Sequence, residues 1–129
     1  MALVRHDTGL WSTEYTLDWQ GGLVPIPVRM TVIRLGDGRL ILHSPGPLSS
    51  ELRAELDALG PVGFIVVPKA HGRFAGEAAQ SYPDAQPLGA SLADRPPSAW
   101  DDQVESHLVL GFRLHEVVLF HRASRTLLL

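Results

Sequence analysis

The chain has 129 residues, 45% of them apolar and 19% charged, the balance of one globular domain rather than of a disordered segment. Its formal charge is -3 with both signs mixed, so it carries no electrostatic footprint for nucleic acid. The absence of cysteine excludes disulfides, thiolate metal sites and cysteine nucleophiles, and no apolar run is long enough to span a membrane. With no signal-like N-terminus, a cytoplasmic protein is the expectation.

Trp11, Thr13, Tyr15, Leu17 and Trp19 alternate with Ser12, Glu14, Thr16, Asp18 and Gln20, the period of a half-buried antiparallel strand. The aromatic side reads as core, since aromatic rings carry much of the area a core buries. Gly21-Gly22 turns the chain, and Pro25 and Pro27 mark residues 23–27 as an edge or an irregular crossing. Strands at 28–35 and 39–43 are joined by Gly36-Asp37-Gly38, a hairpin signal, and the second stops at His43-Ser44-Pro45. Ser49 is placed to cap a helix with Leu52, Leu56 and Leu59 on one side, and Gly60-Pro61 ends it.

Val62, Phe64, Ile65, Val66 and Val67 then form a run that is apolar on both faces, as in a central strand covered on each side. Pro68 stops it. Lys69, His71 and Arg73 follow at alternate positions, ahead of Phe74, Gly76 and a helical run from Glu77. A buried strand ending in a short polar loop before a helix is where α/β proteins usually keep their chemistry. Beyond it come a stop at residues 82–85, a short strand at 86–90, and a loop at 91–102 anchored by Trp100. Strands at 104–110, 114–120 and 126–129 complete the chain. His121 beside Arg122 falls in the last turn and reads as surface. This order predicts an α/β fold, a mixed, largely antiparallel sheet with helices packed on it, in a single domain spanning 1–129.

Residues 68–77 resemble the metal-binding loop of metallo-β-lactamase-fold hydrolases. There a buried strand runs into His-x-His-x-Asp-His, a glycine pair and a helix. Laid over that motif, Lys69 falls at the first His, His71 at the second, Arg73 at the Asp, Phe74 at the last His and Gly76 at the first Gly. Phe112 stands where the family's later loop has a ligand His. The chain is more similar to an uncharacterised bacterial branch of that fold with Lys-x-His-x-x-Phe-x-Gly-Glu in this loop, here Lys69, His71, Phe74, Gly76 and Glu77. The likeness extends to His43-Ser44-Pro45 and to the hairpin around His121. It implies a partial metallo-β-lactamase-like αβ sandwich, a half-domain, because members of the family usually continue into a second αβ half.

A catalytic zinc needs about three protein ligands and an open position. Of the seats carried over, only His71 is a competent ligand, while Lys69 and Arg73 bring positive charge to where a dication would sit. The resemblance therefore implies a diverged, metal-free member without cofactor or assigned catalytic residues, a binding or structural module. Lys69, His71, Arg73 and His43 are its candidate site for a small anion, a phosphate or carboxylate held ahead of a helix. Equally plain is a solvated lysine and arginine with His71 bonded to the loop backbone. A rival is a zinc-dependent hydrolase rebuilt as a mononuclear centre on His71, His43 and His115. Ser44 lacks the context of a nucleophile elbow. The apolar end Leu127-Leu128-Leu129 and the aromatic side of Trp11, Tyr15 and Trp19 suggest a homodimer or higher homo-oligomer, with no nucleic-acid or membrane partner.

Overall fold

The computed structural model describes residues 2–19, 21–67, 73–89, 96–110 and 115–129. Strands β1 (Val4–Asp7), β2 (Leu10–Trp19), β3 (Val24–Arg34), β4 (Leu40–His43), β5 (Val62–Val66) and β6 (Gln86–Leu88) form one sheet in chain order. Strands β7 (Val104–Leu110), β8 (His115–His121) and β9 (Thr126–Leu128) form a second, antiparallel one. Helix α1 (Ser50–Leu59) joins β4 to β5, and helix α2 (Ala75–Ser81) precedes β6. Strands β1 to β4 run antiparallel, whereas β4, β5 and β6 are parallel.

The fold is therefore β-rich, two sheets with two α-helices among the described residues, and the expected α/β sandwich with helices packed on a sheet is corrected. The physical reason lies in what covers the central strands. On one face Met30, Val32, Leu40, Leu42 and Ile65 meet Leu52 and Leu56 of α1. On the other, Ile33, Ile41, Phe64 and Val66 meet Val104, Val117, Leu119 and Leu128 of the second sheet, with Trp100 among them. Two-sided burial was the right inference for β5, but one of its two covers is a sheet. Each fully buried Leu, Ile or Val at these positions contributes roughly 1.5–3 kcal/mol.

Local chemistry explains most of the boundaries. The Ser49 hydroxyl accepts from the Leu52 N–H at 3.1 Å and caps α1, and the Gly60 N–H donates to the Leu56 carbonyl at its end. The 36–38 turn closes the β3–β4 hairpin, with Thr31 opposite His43. Pro25 and Pro27 lie within β3, opposite Asp18 and Thr16, rather than in an irregular crossing. They are tolerated because β4 follows β3 only over residues 31–34, leaving one side of the proline segment without a strand partner. Gln103 ties the two sheets together. Its Oε1 accepts from the Gly36 N–H at 2.6 Å, and its Nε2 donates to the Ala99 carbonyl at 3.1 Å. No helix among the described residues is long and apolar enough to cross a membrane.

Candidate functional site

The carboxyl ends of β4, β5 and β6 share one edge of the sheet. His43 pairs with Val66, and the next N–H, that of Ser44, donates to the Val66 carbonyl at 2.9 Å. Val67 N–H donates to the Leu88 carbonyl at 3.2 Å, which brings the end of β6 to the same place. Crevices outside the carboxyl ends of parallel strands are where open sheets with crossover helices bind ligands. His43 is 1% exposed and Ser44 is fully buried. Ser44 also holds φ 56, the left-handed region that a non-glycine residue enters only when its surroundings force it.

The start of α2 is held beside this edge by packing. Phe74 stands edge-on to Tyr15 with ring centroids 5.5 Å apart, and the Tyr15 hydroxyl donates to the Ser44 and Pro45 carbonyls at 3.2 and 3.4 Å. Burial pushes the Tyr15 phenol up from its ordinary value, so it keeps the proton it donates. Glu77 accepts the Leu48 N–H at 3.2 Å and ties the loop after β4 to α2. Phe74 and Glu77 of the Lys-x-His-x-x-Phe-x-Gly-Glu pattern are thus positioning residues. Arg73 is exposed, with its guanidinium 5.6 Å from the centre of the Phe74 ring. Lys69 and His71 lie outside the described residues. Helix α2 has only seven residues, so positive charge at this edge must come from side chains.

Gly46 completes the arrangement. A Cβ there would lie 2.7 Å from Cγ and Cε1 of Tyr15, and closer still to Cδ1. Gly46→Ala is therefore expected to push the ring off Phe74 and off the two carbonyls, at about 1–3 kcal/mol. Urea unfolding followed by circular dichroism checks this; a variant as stable as the parent would show the contact to be slack.

Among the described residues no group of three or more His, Cys, Asp or Glu is placed to hold a metal ion. At the strand-end edge they offer one guanidinium, Arg73, beside Phe74 and Tyr15, and one imidazole, His43, in the phase of Ile41 toward the second sheet, a set that does not by itself make a zinc centre. The third member of the rival centre, His115, opens β8 in the other sheet.

At His121 the structure differs from the sequence expectation, and two clefts were not foreseen by it. His121 is buried, 5% exposed, not on the surface; its Nδ1 lies 2.6 Å from Ser124 Oγ, which donates to Thr126 Oγ1 at 2.8 Å. Burial holds its imidazole below the ordinary range. The alternation Val117, Leu119, His121 carried the signal for that inward placement. Trp11 is core, and Tyr15 packs partly buried against the same cluster, so both are engaged within the chain. Two clefts open elsewhere. One of about 510 Å3 is bounded by β2, β3 and β9, with His6 and Ser12 on its wall. Another of about 610 Å3 lies between Gly9, Arg34, Gln103 and His121.

A family model described as Domain of unknown function (DUF4336) matches residues 10–91. The matched stretch runs from the start of β2 past the end of β6 and takes in the whole strand-end edge, while β7, β8 and β9 lie beyond it. No curated protein matches the chain.

Proposed function

We propose a function on the premise that the chain belongs to the DUF4336 family, a domain of unknown function: it is a metal-free binding domain for a small anion at the carboxyl ends of β4, β5 and β6. One observation carries this. The Phe74–Tyr15 contact and the Tyr15 hydrogen bonds to the Ser44 and Pro45 carbonyls hold the exposed guanidinium of Arg73 beside the end of β4, the strand that His43 closes on its opposite face. In this reading Lys69 and His71 supply further donors to the same phosphate or carboxylate. The domain is a diverged, cytoplasmic relative of metallo-β-lactamase-type hydrolases in which cationic residues have taken seats that metal ligands hold elsewhere. Self-association along β9, where Leu127 and Leu129 stand exposed at 55% and 77%, belongs to the same proposal.

Titration calorimetry with inorganic phosphate, beside elemental analysis of the purified protein with and without added zinc, tests it. The expected result is one phosphate per chain, weakened about 10-fold or more in Arg73→Ala, since one charge-assisted hydrogen bond is worth about 1.5–3 kcal/mol. Metal should stay well below one ion per chain. A stoichiometric zinc that disappears in His71→Ala together with hydrolytic turnover would overturn the proposal in favour of the rival centre on His71, His43 and His115.

A further inference from the structure

Ser12 is 96% withdrawn from solvent by its place in β2, at 4% exposure, yet its hydroxyl lies 2.6 Å from Nε2 of His6. The imidazole is carried on β1 and is itself exposed. Both residues line the 510 Å3 cleft between β2, β3 and β9. In the register of β2 and β3, Ser12 stands directly opposite Thr31, which is also buried and brings a second hydroxyl to the same wall. The rest of the lining is mainly apolar, with Leu10 on the large sheet and Leu128 on β9, beside the Glu14–Arg29 ion pair. A concave, largely apolar space of this size with a few convergent polar groups is the usual form of a small-molecule site.

We propose that Ser12 and His6 are a nucleophile and its base, accepting the acyl group of esters of short apolar acids. A serine hydroxyl is a weak nucleophile until a neighbouring base takes its proton, and a base within hydrogen-bond reach is the geometric requirement. In this assignment Nε2 is the atom that takes the hydroxyl proton. Ser12 Oγ forms a bond to the ester carbonyl carbon as its proton passes to Nε2. The bond from that carbon to the leaving oxygen breaks, and the alcohol departs with the proton. Water then attacks the acyl-serine, its proton again passing through His6, which releases the acid and restores the hydroxyl. No oxidant, reductant or metal enters the balance. Leu10 and Leu128 hold the acyl chain out of water, which favours short unbranched acids over charged ones. Ser12 and His6 take no part in the strand-end anion site, so that site and this one stand or fall separately.

The test uses 4-nitrophenyl butyrate with the full chain. The expected result is a burst of 4-nitrophenolate and a butyryl group located on Ser12 by peptide mass spectrometry. Ser12→Ala should abolish both, with circular dichroism showing the fold retained. His6→Ala, at an exposed position, should slow the burst about 100-fold or more, and free imidazole should restore part of the rate. A role in tying β1 to β2 alone would give no such rescue. The absence of a burst in the parent protein, acylation at another residue, or a His6→Ala burst at the parent rate would each overturn the assignment.

Discussion

Trp100→Ala is expected to cost about 3–5 kcal/mol of unfolding free energy. Trp100 ends the short turn Ser98–Trp100 and is fully buried between the two sheets, edge-on to Phe64 with ring centroids 5.6 Å apart. Around it Ile41, Val66, Val104 and Leu119 close the second core cluster. Removing the indole opens a cavity where Phe64 of β5 meets the second sheet. Domains of this kind hold about 5–15 kcal/mol in total, so the variant should unfold at much lower urea concentration with the slope unchanged. Trp100→Phe separates packing from polarity. The indole N–H is buried with no acceptor among the described residues, so phenylalanine removes a burdensome donor while keeping an aromatic edge against Phe64. Its loss should be well under half that of alanine. Equal losses in the two variants would mean that ring packing is not what holds the sheets together.

That inter-sheet layer is also where sequence reading stopped short. Trp100 was legible as an anchor, because a lone tryptophan in a polar, proline-bearing stretch has few other uses. What it anchors to was not legible. Ser49 and Gly60 mark α1 through local backbone chemistry, and the Trp11-to-Leu17 alternation marks β2 through strand period, so both survive contact with the structure. The partner of Phe64 and Val66 comes instead from residues some forty to sixty positions later, and an apolar face does not say whether a helix or a sheet will cover it. The α/β expectation arose there. His121 was misplaced for a related reason: a turn-like HRASR segment outweighed the inward phase of Val117 and Leu119. At the site, the strand stops at His43 and Pro68 located the edge, but the parallel His43–Val66 register depends on the α1 crossover. The Ser12–His6 contact rests on side-chain geometry across β1 and β2, which no spacing encodes.

The crossover itself is vulnerable at one glycine, and Gly60→Ala is expected to cost about 2–4 kcal/mol. Gly60 holds φ +153, and a Cβ built on it would overlap the Gly38 carbonyl oxygen. The first effect alone is worth about 1–2 kcal/mol for an L side chain, and overpacking adds a similar amount. The overlap cannot be relieved by a rotamer change, because the obstacle is backbone in the β3–β4 turn. That turn is fixed in its own right: Gly38 N–H donates to Leu35, and Leu40 N–H donates to the Pro61 carbonyl at 2.8 Å. The end of α1, the hairpin and the start of β5 therefore meet at one point, and the register irregularity between Leu40 and Ile41 lies beside it. A slip there would turn Phe64 and Val66 away from Trp100 and carry His43 off the strand-end edge, since strand side chains alternate faces. Gly76→Ala is the control. Among the described residues no atom lies within 4 Å of its Cβ position, and it sits inside α2, where alanine is favoured over glycine by up to about 1 kcal/mol. The same chemical change should thus destabilise at one glycine and stabilise at the other, as read by paired urea melts. If Gly60→Ala proves as benign as Gly76→Ala, the α1–β5 junction has slack that its geometry denies, and the edge built on it is not rigid enough to preorganise an anion site.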